Sequence, residues 1–279
     1  MDVKTVFLPQ ITEGISYSRF VGFCMERPEF FETSCGSLAV FLKKGTKKSR
    51  NEDSLMVAQL ENRGMVLAVA DGVGGHADGD QASKLAIDTL IEIIEREPFS
   101  DAKIRNLVLD AFEEGNERII RSFQDAATTL MVAEIKDQAV RFYLAGDSLA
   151  LISSSRGRLK YRVYGHNPVD FGILAGVWDE SQYDPMGTRH MVTSVLGSED
   201  MQVQVTSSLV LTPGDTLVLG SDGLFDNLSS REISKIIAHK NLDLAASQLQ
   251  EKVASQMKSG DLEYSKEDDL SFILFRPST

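Results

Sequence analysis

Cysteine is scarce in this sequence: among 279 residues only Cys24 and Cys35 occur. Two cysteines without Cys-x-x-Cys spacing build neither a disulfide framework nor a redox motif, so they read as reduced thiols of a cytoplasmic protein. A nucleophilic Cys-x5-Arg site is excluded as well, because Phe30 and Phe41 stand where the arginine would be. No uncharged apolar run approaches the ~20 residues that span a bilayer. No basic segment followed by an apolar stretch marks the start, so no signal peptide is expected. Positive charge is also in deficit: 29 Lys and Arg against 41 Asp and Glu give a net charge of -12. That argues against nucleic-acid binding, which needs a basic surface to displace counterions. Internal repeats and low-complexity segments are missing.

What is present suits a globular α+β chain. A hydrophobic fraction of 42% is enough for a sizeable core. Residues 65–70 form a short apolar run of strand length. Helices are expected over about 80–97, ending before Pro98, and over about 100–123, capped by Ser100, each with one apolar face. Short apolar runs at 128–135, 139–145 and 149–152, joined by tight turns, favour antiparallel pairing. Strands are also expected at 6–8, 20–23, 36–42, 55–58, 215–220 and 270–275, with helices near 230–239 and 243–257. Residues 153–208 are punctuated by Gly and Pro and read as an irregular segment.

The chain is organised around Asp71-Gly72-Val73-Gly74-Gly75-His76, a carboxylate at a strand end followed by a glycine-rich turn. Such a turn either cradles a phosphate or lets Asp71 hold a metal. Asp147, Asp222 and Asp268 lie just outside other apolar strands, and Glu52-Asp53 adds a further pair. A single aspartate of this kind is an ordinary turn residue. Several at equivalent strand ends can converge if the strands lie in facing sheets, and converged carboxylates repel unless a cation separates them. An all-oxygen donor set suits Mg²⁺ or Mn²⁺. The basic loop from Lys43 to Arg50 adjoins these acids, an arrangement suited to a phosphate held by metals.

Five motifs follow one another in order: Lys48 to Asp53, Asp71 to His76, Gly146 to Ser148, Ser221 to Asp226 and Asp268 to Ser271. Together they resemble the metal-dependent PP2C (PPM) serine/threonine protein phosphatases in their bacterial form, over about residues 36–275. The resemblance implies a β-sandwich of two antiparallel sheets flanked by helices, with two or three Mn²⁺ or Mg²⁺ ions at one end. By position, Asp71 would bridge two metals, the carbonyl of Gly72 would ligate one, and Asp222 and Asp268 would bind the other. Glu52 and Asp53 would reach metal directly or through water, and Asp147 would help hold a third ion. A water bridging the metals would attack phosphorus. Three positions depart from the pattern. Lys48 stands at the phosphate-binding arginine, with Arg50 two residues on; lysine lacks arginine's bidentate fork. Leu149 replaces an arginine after Gly-Asp-Ser. Val73 occupies the place of a histidine general acid, leaving water or His76 to protonate the leaving group.

The expected partners are phosphorylated proteins, including a serine/threonine kinase and its targets, with no nucleic acid, no membrane and a monomeric chain. Residues 1–35 read as an N-terminal extension packed on a domain spanning 36–279, and 155–208 as a flap that gates substrate choice. Two alternatives stand beside this. One is a dinucleotide-binding protein, since Gly72-x-Gly74-x-x-Ala77 fits the phosphate fingerprint. It suffers from Asp71 beside a pyrophosphate and from the lack of βαβ alternation. The other is a catalytically weak or inactive module of the same fold that binds phosphoproteins or regulates a partner, a reading that rests on Lys48.

Overall fold

A computed structural model of the chain describes residues 10–12, 15–60, 64–73, 78–96, 104–178, 191–259 and 265–278. One strand, β6 (Gly64–Asp71), is apolar on both faces, and both are used. Met65, Leu67 and Val69 enter the core between two sheets, whereas Val66, Ala68 and Ala70 pack beneath a pair of helices. Side chains alternate across a strand, so one strand can serve two cores.

The first sheet also contains β1 (Gln10–Thr12), β2 (Ile15–Val21), β5 (Asp53–Leu60), β7 (Leu130–Lys136), β8 (Ala139–Ala145), β11 (Gln204–Val205) and β12 (Leu209–Val210). Its order is β1-β2-β5-β6-β7-β8-β11, with β12 also on β8. The second sheet runs β10-β9-β13-β14-β4-β3. These strands are β3 (Glu29–Glu32), β4 (Gly36–Lys43), β9 (Leu149–Ser153), β10 (Leu159–Arg162), β13 (Thr216–Gly220) and β14 (Leu270–Pro277). Every strand pairing is antiparallel. That removes the dinucleotide-binding alternative, which needs a parallel βαβ sheet. Helices α1 (Gly79–Arg96) and α2 (Ile104–Ser122) cover the first sheet through Ala86, Leu90, Val108 and Phe112. Helices α5 (Ser230–Ile237) and α6 (Leu242–Lys258) cover the second through Ile233, Ile237, Leu249 and Val253. The short helices α3 (Pro168–Leu174) and α4 (Asp222–Phe225) complete the elements among the described residues. The result is the expected helix–sheet–sheet–helix sandwich.

Several local expectations shift. The strand expected at 20–23 is β2, which ends at Val21; Gly22 then turns the chain with φ +67°. The segment before residue 36, expected as an extension packed on the domain, supplies β2 to one sheet and β3 to the other. The 153–208 stretch contains β10, α3 and β11. The strand expected at 6–8 and the cap at Ser100 lie outside the described residues, as do His76 and residues 179–190.

Candidate metal centre

Two carboxylates are placed by the period of two along strands. Asp53 follows the parity of Leu55, and Asp71 that of Met65, Leu67 and Val69, all in the inter-sheet core. Asp53 and Asp71 are also register partners across β5 and β6. Both side chains therefore enter the same end of the sandwich from adjacent strands. Beyond Asp71 the backbone of Gly72 is packed so tightly that a Cβ there would lie 2.4 Å from the carbonyl oxygen of Gly79. The Gly72 N–H donates to the carbonyl of Glu52 at 3.1 Å, which ties the two acidic loops together.

The second sheet supplies the remaining acids. Ser221 follows β13 and exchanges hydrogen bonds with Ser271 of β14: its N–H donates to the Ser271 carbonyl at 3.1 Å, and its Oγ accepts from the Ser271 N–H at 3.2 Å. Asp222 then opens α4. Gly223 lies against the carbonyl of Asp269, where a Cβ would come within 1.9 Å. This interlocking explains why Ser-Asp-Gly and Asp-Asp-x-Ser occur together. Asp269 accepts from the N–H groups of Gly45 and Glu52, each at 2.8 Å, and so anchors the basic loop. Asp147 sits in the turn between β8 and β9. Thr129 connects that turn to Asp71: its hydroxyl accepts from the Asp71 N–H at 3.0 Å and lies 2.6 Å from Ser148 Oγ.

These placements gather the acids. Asp71 is pushed well above the usual carboxylate range, first by burial and then by the charges of Asp53, Asp222, Asp268 and Asp147. Asp53 is pushed up to about 7 by burial, with Asp269 and Asp222 adding to the rise and the nearby Ser271 and Ser221 hydroxyls opposing it. Asp147 is raised by burial and by Asp222 and Asp226, against the opposing charge of Lys266. Mutual elevation of this kind is the electrostatic signature of converged carboxylates. The donor set is all oxygen, which fits Mg²⁺ or Mn²⁺. Both carboxylate oxygens of Asp53 are buried without a hydrogen-bond partner among the described residues. A buried carboxylate in that condition is costly unless a cation pairs with it, so the residues fit divalent ions.

Two lysines, only one of them singled out by the sequence, enter this cluster. Lys48 Nζ lies 2.8 Å from Glu52 Oε2, 2.6 Å from Asp268 Oδ1 and 3.3 Å from Asp269 Oδ2. Lys266 Nζ bonds Asp222 Oδ2 and lies 2.8 Å from Asp268 Oδ2 and 3.8 Å from Asp226 Oδ2. Burial raises the pKa of Asp268, but the two ammonium groups outweigh it and hold the carboxyl below its usual range. No three His, Cys, Asp or Glu side chains among the described residues are arranged to grip one ion in this structure. The expected phosphate pair is split. The Lys48 ammonium is engaged by acids, whereas Arg50 pairs with Asp80 at 3.2 Å and has a 68% exposed side chain. Lys266 escaped the sequence reading, and Asp226 and Asp269, inside the motifs, received no role there; their charge beside the motif acids was the available signal.

Comparisons with known proteins bear on the family and the fold. The sequence model described as Protein phosphatase 2C matches residues 43–258. A putative protein phosphatase 2C-type from Streptococcus pyogenes is 27% identical over 205 residues, covering 70% of this chain and 82% of the relative. The crystal structure of serine/threonine phosphatase Stp1 from Staphylococcus aureus superposes with a TM-score of 0.75 at 21% identity, covering 93% of this chain and 100% of that one. The catalytic domain of serine/threonine protein phosphatase PstP, in complex with two manganese ions, gives a TM-score of 0.67 at 24% identity, covering 87% of this chain and 98% of that one. With the family's motifs interlocked at one end of its sandwich, the chain belongs to the protein phosphatase 2C family.

Proposed function

We propose that this chain hydrolyses phosphoserine and phosphothreonine in proteins as a metal-dependent phosphatase of the PPM type. The observation that carries the reading is the pairing of half-buried Asp71 with Asp53 across strand register, with the charges of Asp222, Asp268 and Asp147 around it. Asp71, the carbonyl of Gly72, Asp222 and Asp268 would hold two Mn²⁺ or Mg²⁺ ions, with Glu52 and Asp53 beside them and Asp147 helping to hold a third. Bound divalent ions supply a water that ionises near neutral pH and positive charge for the phosphoryl oxygens.

The chain's own residues set the geometry. Asp53 and Asp71, fixed by strand register, keep the carboxylates at one separation and so favour a single orientation of the reacting groups. Lys48 acts as a positioning residue that draws Glu52, Asp268 and Asp269 together. Arg50, with its exposed guanidinium, is the group able to meet a substrate phosphate through a bidentate fork. All the acidic positions of the motifs are filled, which favours an enzyme over a non-catalytic binding module.

Phosphoproteins are the substrates of this reading, with a serine/threonine kinase and its targets as partners, and a monomer in the cytoplasm as the acting form. Among the described residues no helix is long and apolar enough to cross a membrane. The flap of residues 155–208 is proposed to set substrate choice. It is braced at its base: Asp170 takes the Arg162 guanidinium at 2.9 Å and the Gly165 N–H at 2.6 Å. Exposed Phe171, Leu174 and Val177 lie beyond that brace.

Hydrolysis of p-nitrophenyl phosphate and of phosphothreonine and phosphotyrosine peptides tests the proposal. Turnover should require Mn²⁺ or Mg²⁺, stop with EDTA, and fall at least ~10²-fold in Asp71→Asn and Asp222→Asn. Activity indifferent to EDTA and to both substitutions would refute it. Equal turnover of the phosphotyrosine peptide would refute the stated substrate class.

A further inference from the structure

Asp268 is held from both sides. Lys48 Nζ lies 2.6 Å from Oδ1, and Lys266 Nζ lies 2.8 Å from Oδ2. Lys266 also bonds Oδ2 of Asp222, so one ammonium bridges the two acids assigned above to the same divalent ion. Its backbone is fixed as firmly as its head. The Lys266 N–H donates to Asn227 Oδ1 at 3.0 Å, and Asn227 Nδ2 donates to the Lys266 carbonyl at 2.8 Å. Asn227 is buried, and its Nδ2 also donates to the carbonyl of Gly223, at 2.9 Å. The lysine therefore stands on a platform built from α4, the element that begins with Asp222.

We propose that Lys266 is a tethered cation that competes with the divalent ion at Asp222 and Asp268, so that this position is filled only when the lysine swings out. The inference rests on the metal reading above and adds an order of binding to it. An octahedral ion needs oxygens at about 2.0–2.1 Å, and an ammonium already on those oxygens would lie within a few Å of it. Two cations that close repel strongly in a partly buried site. The position therefore fills after the one at the Gly72 carbonyl, and with weaker affinity. In exchange, Asp222 and Asp268 are neutralised when divalent ions are scarce, so the fold does not depend on them. The lysine is a positioning residue for metal occupancy and takes no part in bond making.

Calorimetric titration of the EDTA-stripped, dialysed full chain with Mn²⁺ tests this. The wild type is expected to bind in two separable steps. Lys266→Gln should tighten the weaker step at least about tenfold, which corresponds to 1.4 kcal/mol, and lower the thermal midpoint in EDTA. Lys266→Arg, which keeps the cation, should stay near wild type. Should the glutamine variant fail to fold without metal, ¹⁵N NMR of the wild-type lysine ammonium groups decides the matter. A protected Lys266 signal in EDTA should be lost on saturation with diamagnetic Mg²⁺. Equal Mn²⁺ affinities in wild type and Lys266→Gln, or a Lys266 signal unchanged by Mg²⁺, would overturn the proposal while leaving the metal reading intact. No Mn²⁺ binding by either protein would overturn both.

Discussion

Asp53 and Asp71 stand directly opposite each other on neighbouring antiparallel strands, both facing the gap between the sheets. Like charges in such a pair are tolerated only with a cation between them or a proton on one. The burial that pushes Asp53 up to about 7 means that the folded chain holds a proton there which the unfolded chain releases near the ordinary aspartate value of 3.8. In EDTA, Asp53's contribution to stability is therefore fully present below about pH 4 and is lost as pH rises through 7. Thermal midpoints in EDTA should fall between pH 5 and pH 8, and Asp53→Asn should flatten that slope and raise the midpoint at pH 8. Each kcal/mol corresponds to a shift of about 2–4 °C for a chain of comparable size. An equally steep slope in the variant would contradict the assignment.

Gly223 offers a purely steric test. A Cβ on this residue would come within 1.9 Å of the Asp269 carbonyl oxygen, a backbone atom that cannot move without shifting β14. Gly223→Ala should destabilise the fold by about 3 kcal/mol, the upper part of the range for overpacking. Urea unfolding measures this directly, and loss of Mn²⁺ binding should accompany it because Asp222 and Asp268 flank the clash.

Arg50 and Lys48 should separate kinetically. Removing the exposed guanidinium in Arg50→Ala should raise KM for a phosphopeptide about tenfold with little change in kcat, the pattern for lost uniform binding. Lys48→Ala should instead lower kcat, since it releases Glu52, Asp268 and Asp269 from the cation that positions them. Steady-state kinetics on one peptide distinguishes the two.

The flap base should respond to acid through His166. Its Nδ1 accepts the Gly146 N–H at 3.3 Å, and its own N–H donates to the Gly146 carbonyl at 2.7 Å. Burial holds its pKa below the usual value, with Gln204 acting in the other direction. A depressed histidine contributes stability above its unfolded pKa of about 6.5 and loses it as pH falls. Hydrogen exchange at Gly146 and Thr193, whose N–H donates to the His166 carbonyl, should accelerate beyond the intrinsic pH trend as pH drops from 7.5 to 5.5. His166→Asn should remove that excess.

Much of the site was legible because strand ends announce themselves. β5, β6 and β13 are dense apolar runs broken by an acid, and alternation fixes which way that acid faces. The sandwich itself followed from turn-linked strands and two amphipathic helices. β2 and β3 were harder to read, since their burial patterns are mixed and no face is continuously apolar. α4 read as a turn because four residues carry no helical period. The lysines were illegible in their roles for another reason. Lys48 meets Asp268 and Lys266 meets Asp222 only after the sheets close, and no local pattern encodes partners that far apart in the chain. Lys48 read as a substrate-facing cation, and folding turned it inward.

Asp269 holds the Gly45 and Glu52 amides, and β14 lies between β13 and β4 at the heart of its sheet. A chain is made from its N-terminus, so this strand leaves the ribosome after the others have emerged. Until it does, β4 and β13 lack the neighbour that joins them, and the loop carrying Glu52 has no anchor. A nascent chain thus lacks Asp268 and leaves the Glu52 loop and Asp222 unanchored against the acids of the first sheet until synthesis has passed residue 270.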